Sequence, residues 1–256
     1  MSSSIFDLSG RVALVTGGSK GLGKAMARGF AEHGADVMIC SRSESELQAA
    51  KAEIGDGLDV RVEYRVTDMV DRCEVKALAA ETIEKLGKVD ILVNNAGSNS
   101  PEPIDVITDE AWDRILELNL SSVMVLTRAL VPGMKERGWG RVIHISSVLG
   151  LGSKEARNSY SATKAALIGF AKASALDLGP HGVTVNCIAP GPFLTDLPLS
   201  LLNEEQQQKF SDFTAMGRWG KPREIAGPAI MLASEAGSYI TGETLLIDGG
   251  AYARAL

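Results

Sequence analysis

The stretch Val12-Ala-Leu-Val-Thr-Gly-Gly-Ser-Lys-Gly-Leu-Gly23 decides the fold, because an aliphatic run leads through a glycine-rich loop into a helical pattern. Gly17, Gly21 and Gly23 have the spacing GxxxGxG, a shifted relative of the dinucleotide-binding fingerprint. One glycine makes the tight turn, one lets the backbone approach a pyrophosphate, and one lets the helix pack closely on the strand. The helix start then offers unpaired N–H groups and a positive dipole end to phosphates. The predicted dinucleotide-binding residues of this loop are Gly17, Ser19, Lys20, Gly21, Leu22 and Gly23.

Short β-rich runs alternate with longer helical patterns along the chain, which indicates βαβ units. Most strand candidates are continuous aliphatic runs, as expected of strands covered on both faces. The predicted strands are 12–15, 37–40, 60–64, 89–93, 142–145, 183–188 and 245–247. The predicted helices are 21–32, 44–54, 70–86, 108–137, 160–178 and 222–232. We therefore predict an α/β fold over residues 1–256. It is a single Rossmann-like doubly wound domain, with a seven-stranded parallel sheet and helices on both faces.

Local signals mark several boundaries of these elements. Ser43 followed by Glu46 predicts a capping box, and Pro222 suits a first helical turn. Asp68 is interpreted as the cap of the helix after the third strand. The stretch 190–221 is predicted to be irregular, and a long irregular segment in a compact domain is typical of a substrate loop or lid.

Charge and composition exclude several classes of function. The chain has 26 Lys and Arg against 32 Asp and Glu, a net charge of −6, so neither nucleic acid nor a membrane is an expected partner. The first residues do not read as a signal peptide, and no apolar run approaches the ~18 residues of a membrane span. Three cysteines without a CxxC pair indicate free thiols in a cytoplasmic protein. Three scattered histidines predict no metal site.

The end of the second strand indicates which dinucleotide is preferred. An NAD site usually has Asp or Glu there to accept from the ribose 2′-OH. This chain instead has Ser41 and Arg42, and Lys20 in the glycine loop points toward the same corner. Two cations and a hydroxyl suit a 2′-phosphate. The sequence therefore predicts NADP(H) in preference to NAD(H).

The candidate chemical group is a tyrosine and a lysine one helical turn apart. Tyr160 and Lys164 are spaced i and i+4, on one face of a helix. Thirteen residues before Tyr160, a strand ends in Ser146 and Ser147, at the strand edge where α/β folds bind ligands. Tyrosine has an ordinary pKa near ~10 and is a poor base at neutral pH. A nearby cation is expected to lower that pKa, which suits a general acid/base.

Several motifs now stand in order along the chain: the glycine loop at 16–23, Asn94-Asn-Ala-Gly97, Asn119, Ser147, Tyr160-x-x-x-Lys164 and Pro190-Gly191. With these, the sequence resembles the short-chain dehydrogenases/reductases over essentially its whole length, and in particular the 3-oxoacyl-ACP reductase-like and gluconate dehydrogenase-like members. The resemblance implies an NAD(P)-dependent oxidoreductase that moves a hydride between nicotinamide and a ketone or secondary alcohol.

The resemblance also implies roles for single residues. Tyr160 exchanges the proton, Lys164 lowers its pKa and bonds the nicotinamide ribose, Ser147 polarises the substrate oxygen, and Asn119 positions a water behind Lys164. The implied cofactor contacts outside the glycine loop are Ser41, Arg42, Val66, Asn95, Ala96, Gly97, Tyr160, Lys164, Ile188, Pro190, Gly191 and Thr195. One position departs from the family pattern: Arg65 stands where an acidic residue commonly contacts adenine. Arg65 could stack on adenine, or the contact could fall to the Val66 backbone.

The substrate remains open between alternatives. Candidate substrate residues are Ser98, Asn99, Ser147, Ser153, Arg157 and Phe193. One reading is a reductase of 3-oxoacyl thioesters or similar ketones, and the other is a sugar, polyol or aldonate dehydrogenase of the gluconate type. A remote third is a non-catalytic dinucleotide sensor, which the intact Ser/Tyr/Lys set argues against. The carboxyl-terminal stretch also resembles the family, whose members pair there across subunits, which implies a homotetramer or homodimer.

Overall fold

The predicted alternation is present in a computed structural model, which describes residues 4–195 and 203–253. The strands are β1 (Val12–Thr16), β2 (Asp36–Ser41), β3 (Val62–Val66), β4 (Ile91–Asn94), β5 (Gly140–Ile145), β6 (Val183–Pro190) and β7 (Thr244–Ile247). The α-helices are α1 (Gly21–Glu32), α2 (Glu44–Gly55), α3 (Arg72–Leu86), α4 (Asp109–Leu116), α5 (Ser122–Arg137), α6 (Asn158–Leu178), α7 (Glu204–Phe213) and α8 (Ala226–Ala233). All seven predicted strands are confirmed, with small shifts at their ends.

The strands form a parallel sheet in the order β3-β2-β1-β4-β5-β6-β7. The order reverses direction between β1 and β4, which pair from Ala13 with Ile91 to Val15 with Val93. In open α/β sheets the ligand crevice lies outside the carboxyl ends of the strands at such a switch point. The loops that leave β1 and β4 therefore face each other across the expected binding crevice, and the predicted doubly wound architecture is confirmed.

The core lies on both faces of the sheet, because successive strand side chains point to opposite sides. Ala13 and Val15 pack with α1, α2 and α8 on one face. Leu14 and Leu92 pack with α3, α5 and α6 on the other. Every residue of β1 and of β4 is buried, which explains why these strands read as unbroken aliphatic runs.

Three local expectations were wrong. The predicted helix 108–137 is interrupted by a π-helical turn, Glu117–Ser121, between α4 and α5. Asp68 does not cap α3; the Asp71 side chain does, accepting hydrogen bonds from the backbone N–H groups of Cys73 and Glu74. The stretch 190–221 is not irregular throughout, because α7 lies within it, started by a capping box of Asn203 with Gln206. Two apolar residues of this stretch that could cover a substrate, Leu197 and Leu199, lie outside the described residues.

One described segment, Asp109–Arg137, has the length and mean hydropathy of a membrane span. The expectation that no apolar stretch approaches that length therefore needs correction. Within this fold the segment packs against α3, α6 and β5, with Ile115, Val123, Leu126 and Met134 buried. A core helix of an α/β sheet meets the same test, because one of its faces must be apolar.

Candidate active site

The glycine loop has the backbone geometry that its composition predicts. Gly17 and Gly21 have φ of +65° and +56°, in the left-handed region that favours glycine. A Cβ on Gly23 would lie 2.2 Å from the Gly17 carbonyl oxygen, so a side chain at Gly23 would prevent the helix from approaching the loop. None of the described side chains caps the start of α1. Its first N–H groups are therefore free to bind a pyrophosphate, which fits the dinucleotide predicted from the sequence.

The Asn94–Gly97 motif braces this loop from across the crevice. The Asn95 amide donates to the carbonyl oxygens of Thr16 and Gly17, at 2.9 and 3.2 Å. In return the Thr16 hydroxyl oxygen accepts from the backbone N–H groups of Asn95 and Ala96, at 2.9 and 3.0 Å. Asn95 therefore contributes to the dinucleotide site chiefly by fixing the shape of the glycine loop.

Tyr160 and Ser147 come together at the carboxyl edge of the sheet. Ser147 follows β5, and Tyr160 lies in the first turn of α6. The Ser147 hydroxyl lies close enough to the Tyr160 phenol to affect its pKa. Burial raises the pKa of the Tyr160 phenol above its usual value of 10, while the Ser147 hydrogen bond and the Arg157 charge act in the opposite direction. Lys164 is not among the groups that shift this pKa in the protein chain alone, so its effect on Tyr160 stays a prediction.

Lys164 is buried beneath the tyrosine. Its Nζ lies 5.6 Å from the centre of the Tyr160 ring and donates to the Ile145 carbonyl oxygen at 2.7 Å. Burial lowers the pKa of Lys164 from 10.5 to about 8. The Ser146 hydroxyl donates to the Lys164 carbonyl oxygen at 2.7 Å, which fixes α6 against the end of β5. At neutral pH this places a cation below a neutral phenol.

Asn119 joins the same group from the π-helical turn. Its side chain is fully buried, accepts from the Ser98 N–H at 2.9 Å and donates to the Ser98 carbonyl oxygen at 2.9 Å. It also donates to the Thr163 hydroxyl at 3.2 Å. A Cβ on Gly97 would lie 3.1 Å from Asn119 Oδ1 and 3.4 Å from Lys164 Nζ. The π-turn thus brings Asn119 to the place where three segments of the site meet, and such turns frequently occur at functional sites.

The adenosine corner is more exposed than the catalytic group. Ser41 and Val66 lie side by side at the carboxyl ends of β2 and β3. Arg42 and Lys20 are exposed, as a phosphate-binding pair requires. Arg65 pairs with Glu81 of α3. In this arrangement the Arg65 guanidinium is engaged by a carboxylate.

The predicted nicotinamide-side residues lie at the end of β6 and directly after it. Ile188 and Pro190 are buried in the strand, and Gly191 donates its N–H to the Ile247 carbonyl oxygen at 3.0 Å. Thr195 reaches the glycine loop, since a Cβ on Gly21 would lie 3.3 Å from its Cγ2. Phe193 is buried against Gly220 and belongs to the core. The prediction that Phe193 faces the substrate is therefore not supported by its burial.

The remaining substrate candidates fall into two groups. Arg157 lies close enough to Tyr160 to affect its pKa, and Arg157 Nη1 and Asn99 Oδ1 are buried with no hydrogen-bond partner among the described residues. Ser98 is held against Asn119 through its backbone. Ser153 is exposed, and its hydroxyl hydrogen-bonds to that of Ser161 on α6 at 2.7 Å. Ser153 therefore lies on the protein surface beside α6.

Sequence reasoning missed residues that act through others. The Thr16 hydroxyl accepts from the Asn95 backbone N–H, its carbonyl oxygen accepts from the Asn95 side chain, and the Thr163 hydroxyl accepts from the Asn119 side chain. Both threonines stand in or next to the quoted motifs and could have been found there. Glu46 was predicted to complete a capping box with Ser43. The Ser43 hydroxyl does accept from the Glu46 N–H at 3.4 Å. The Glu46 carboxylate, however, accepts from Lys20 Nζ and the Ser19 hydroxyl, both at 3.1 Å.

Other potentially reactive groups are buried in the core, and two of them, His144 and Cys187, lie close enough to Lys164 to be affected by its charge. Burial raises the pKa of the Cys40 and Cys187 thiols to about 12, so both behave as core residues. Burial also lowers the pKa of His144 to about 3, and its ring stacks on Phe170. No group of three or more metal-ligating side chains occurs within residues 4–195 and 203–253.

The fold and this arrangement define a dinucleotide-dependent oxidoreductase: a glycine loop at the switch point of a doubly wound sheet, and a Ser/Tyr/Lys group at the same edge, in which Ser147 and Lys164 are buried. Residues 11–206 match the family described as short chain dehydrogenase. The chain belongs to the short-chain dehydrogenase/reductase family, and it is an NAD(P)-dependent enzyme of that family.

Individual relatives span nearly the whole chain. It is similar to the 3-oxoacyl-[acyl-carrier-protein] reductase FabG of Vibrio cholerae, with 39% identity over 96% of this chain and 99% of that protein. A solved 3-oxoacyl (acyl-carrier-protein) reductase from Agrobacterium tumefaciens with NADP bound has a TM-score of 0.91 and 34% identity, covering 98% of this chain and 97% of that one. A candidate NAD(P)-dependent gluconate 5-dehydrogenase from Beutenbergia cavernae with bound NADP has a TM-score of 0.93 and 34% identity, covering 98% and 100%.

Proposed function

We propose that residues 1–256 form one dinucleotide-binding domain that reduces the carbonyl of a 3-oxoacyl thioester, or of a similar ketone, with NADPH. The observation that carries this proposal is that Ser147, Tyr160 and the buried Lys164 meet at one edge of the sheet, with Lys164 Nζ 5.6 Å from the centre of the Tyr160 ring and the pKa of Tyr160 raised above its usual value. A phenol that keeps its proton at neutral pH suits the acid that reduction of a carbonyl requires. The names of the Vibrio cholerae and Agrobacterium tumefaciens relatives support the same substrate class.

The chain's own residues divide the work as follows. Ser147 and Tyr160 donate hydrogen bonds to the carbonyl oxygen, and Tyr160 transfers its proton there as the oxygen becomes an alkoxide. Lys164, a cation at pH 7, stabilises the tyrosinate that remains. Asn119, fixed by Ser98 and Thr163, keeps the polar path behind Lys164 open for the proton's replacement. The bound nicotinamide supplies the hydride.

The chain binds that cofactor along the crevice. In our proposal Gly17, Gly21, Leu22 and Gly23 with the start of α1 hold the pyrophosphate, and Ala96 and Gly97 line the adenosine side. Ile188, Pro190, Gly191 and Thr195 hold the nicotinamide end, and the segment 190–221 covers the substrate. Ser41, Arg42, Ser19 and Lys20 bind a 2′-phosphate, which makes NADP(H) preferred over NAD(H). The NADP in the two solved relatives is consistent with that preference.

A second candidate activity is oxidation of an aldonate at a secondary alcohol, as the name of the Beutenbergia cavernae relative suggests. The observation that favours it is Arg157, whose guanidinium lies near Tyr160 and has a buried Nη1 with no partner among the described residues. A guanidinium there suits a substrate carboxylate through charge-assisted hydrogen bonds. An acyl thioester offers no such charge beside the reacting carbon.

One screen separates the two activities. Purified protein is assayed with NADPH against acetoacetyl thioesters and cyclic ketones, and with NADP⁺ against gluconate and neutral polyols. The proposal expects the highest kcat/KM with a 3-oxoacyl thioester and little effect of Arg157→Ala on it. The second proposal would replace the first if gluconate is the preferred substrate and Arg157→Ala abolishes its turnover. Arg128→Ala, at an exposed position of α5, is the control and should leave that turnover intact.

We also propose a cytoplasmic homotetramer or homodimer acting on a small molecule. β7 is an edge strand of the described sheet, and Leu246 on it is exposed along with Leu176 on α6. Apolar side chains on an open sheet edge suit a second subunit. Light scattering at micromolar concentration tests this assembly, and a monomer there would refute it.

A further inference from the structure

The corner proposed to bind the 2′-phosphate already contains an anion. Glu46, in the first turn of α2, points its carboxylate back at the glycine loop. One oxygen accepts from Lys20 Nζ at 3.1 Å, and the other accepts from the Ser19 hydroxyl at 3.1 Å. Ser19 is buried, whereas the Lys20 side chain is largely exposed.

The charges around Glu46 show what holds it there. The Lys20 hydrogen bond is the main cause that lowers the pKa of Glu46, and the Arg42 charge adds to it. Glu46 is therefore ionised at neutral pH. Lys20, Arg42 and Glu46 form one cluster, and two of its three members are the cations expected to bind a phosphate.

We infer that Glu46 is a specificity-determining residue for the cofactor: its carboxylate competes with the 2′-phosphate of NADP(H) for Lys20 and Ser19, and so limits the preference over NAD(H). This inference rests on the proposed cofactor site. The physical reason is that the 2′-phosphate must displace Glu46 from Lys20 and then remain beside a fixed negative charge, whereas NAD(H) brings no charge to this corner.

The size of the effect follows from exposure. The Lys20 and Glu46 side chains are 59% and 42% exposed. Exposed ion pairs contribute little to stability, and water and salt screen repulsion between such groups. Glu46 therefore moderates NADP(H) binding without preventing it.

The chain provides a matched control pair. Glu53 lies on the same helix α2 and pairs with Lys24 of the same helix α1, with Nζ and Oε2 2.7 Å apart. Glu53 lies nine residues, more than two helical turns, after the start of α2, whereas Lys24 lies in the first turn of α1. Glu46→Gln and Glu53→Gln thus each remove one carboxylate from an ion pair of α2, and only Glu46 accepts hydrogen bonds from Lys20 and Ser19.

The experiment measures the ratio of kcat/KM for NADPH to that for NADH, together with direct binding of both cofactors by fluorescence titration. Glu46→Gln is expected to raise the ratio about fourfold at low salt through tighter NADPH binding, an effect of the size given by weakly screened surface charges. NADH constants should change less than about twofold, as should all constants in Glu53→Gln. The increase in this ratio should be smaller at high salt. Glu46→Lys should increase the ratio more than Glu46→Gln does.

Each outcome decides the inference. An unchanged ratio in Glu46→Gln overturns it. A lowered ratio also overturns it, because Glu46 would then help binding by holding Lys20 and Ser19 in position. If the wild-type protein has equal kcat/KM values for NADH and NADPH, the proposed NADP(H) preference is refuted. The inference about Glu46 is still decided by the ratio in the variant relative to the ratio in wild type.

Discussion

The two ends of the crevice are built in opposite ways. At the catalytic end Asn119, Ser147 and Lys164 are buried and held by hydrogen bonds of 2.7–3.2 Å to neighbouring segments. At the adenosine end Lys20 and Arg42 are exposed, and Lys20 is held by one exposed ion pair. A change in the first arrangement breaks several buried hydrogen bonds, whereas rotation of one exposed side chain changes the second.

This difference follows from what each end has to do. Proton transfer requires donor and acceptor within a few tenths of an ångström of their working positions, and buried, hydrogen-bonded groups provide that. Recognition of one phosphate requires charge of the right sign within reach, and exposed side chains provide that at low cost in stability. A substitution at the catalytic end should therefore change rate or stability strongly, and one at the adenosine end should change cofactor choice moderately.

Tyr160→Phe should have the largest effect. The substitution removes the hydroxyl that we propose as the proton donor, so kcat should fall about 10³-fold, within the range known for general acid–base groups. Binding of NADPH, measured by fluorescence titration, should change less than about threefold. Tyr239→Phe is the control, because Tyr239 is fully exposed. Turnover within tenfold of wild type in Tyr160→Phe would remove Tyr160 from the mechanism.

Lys164→Met tests how the buried cation affects stability. Burial lowers the pKa of Lys164 from 10.5 to about 8, so folding disfavours its charged form. Replacing it should raise the free energy of unfolding at pH 7 by about 2 kcal/mol, after allowance for the lost bond to Ile145. Activity should fall at the same time, a trade typical of active sites.

The pH dependence of that gain follows from the same pKa. Below pH 8 both folded and unfolded wild type carry a protonated lysine, so the gain in Lys164→Met is constant. Between pH 8 and 10.5 the unfolded chain binds more protons, wild-type stability rises with pH, and the gain should disappear. Urea denaturation across this pH range measures the difference in stability between variant and wild type. Lys172→Met, at an exposed position of α6, is the control. A variant less stable than wild type at pH 7 would contradict the role of burial.

The sequence predicts the catalytic end better than the adenosine end, and the physical reason differs by residue. Tyr160 and Lys164 are four apart on one helix, so their proximity is a local property of the chain. Strands β1 and β4 can be recognised from the sequence, because burial on both faces of the sheet requires aliphatic residues along the strand. The Glu46–Lys20 pair instead joins residues 26 apart that meet only after α1 and α2 pack.

Other features depend on tertiary contacts in the same way. The π-turn around Asn119 exists alongside bonds to Ser98 and Thr163, which lie 21 and 44 residues away along the chain. The raised pKa of Tyr160 results from burial, which no spacing rule reports. The cap at Asp71 in place of Asp68 shows a smaller limit, because two acidic residues three positions apart both precede α3 and the sequence does not distinguish them.

Arg42→Ala is the direct test of the adenosine end. The loss of one charge-assisted contact at an exposed site should weaken NADPH binding about tenfold, measured by fluorescence titration. NADH binding should stay within about twofold of wild type, because NADH has no 2′-phosphate. Equal losses for both cofactors would mean that Arg42 contacts a part they share. In that case the contrast between the two ends would no longer include cofactor choice.

Arg65→Ala should have the smallest effect of these substitutions, although Arg65 stands at the position expected to contact adenine. Its guanidinium is engaged by Glu81, which also pairs with Lys85 at 2.9 Å. Removing a partly exposed ion pair should cost at most about 1 kcal/mol of unfolding free energy and change NADPH binding less than about twofold. Arg61→Ala is the control for stability, since Arg61 pairs with Asp36 where β2 begins, away from the site. A tenfold loss of NADPH and NADH binding in Arg65→Ala alone would instead mean that the guanidinium leaves Glu81 to stack on adenine, and that the adenosine end rearranges further than one side chain.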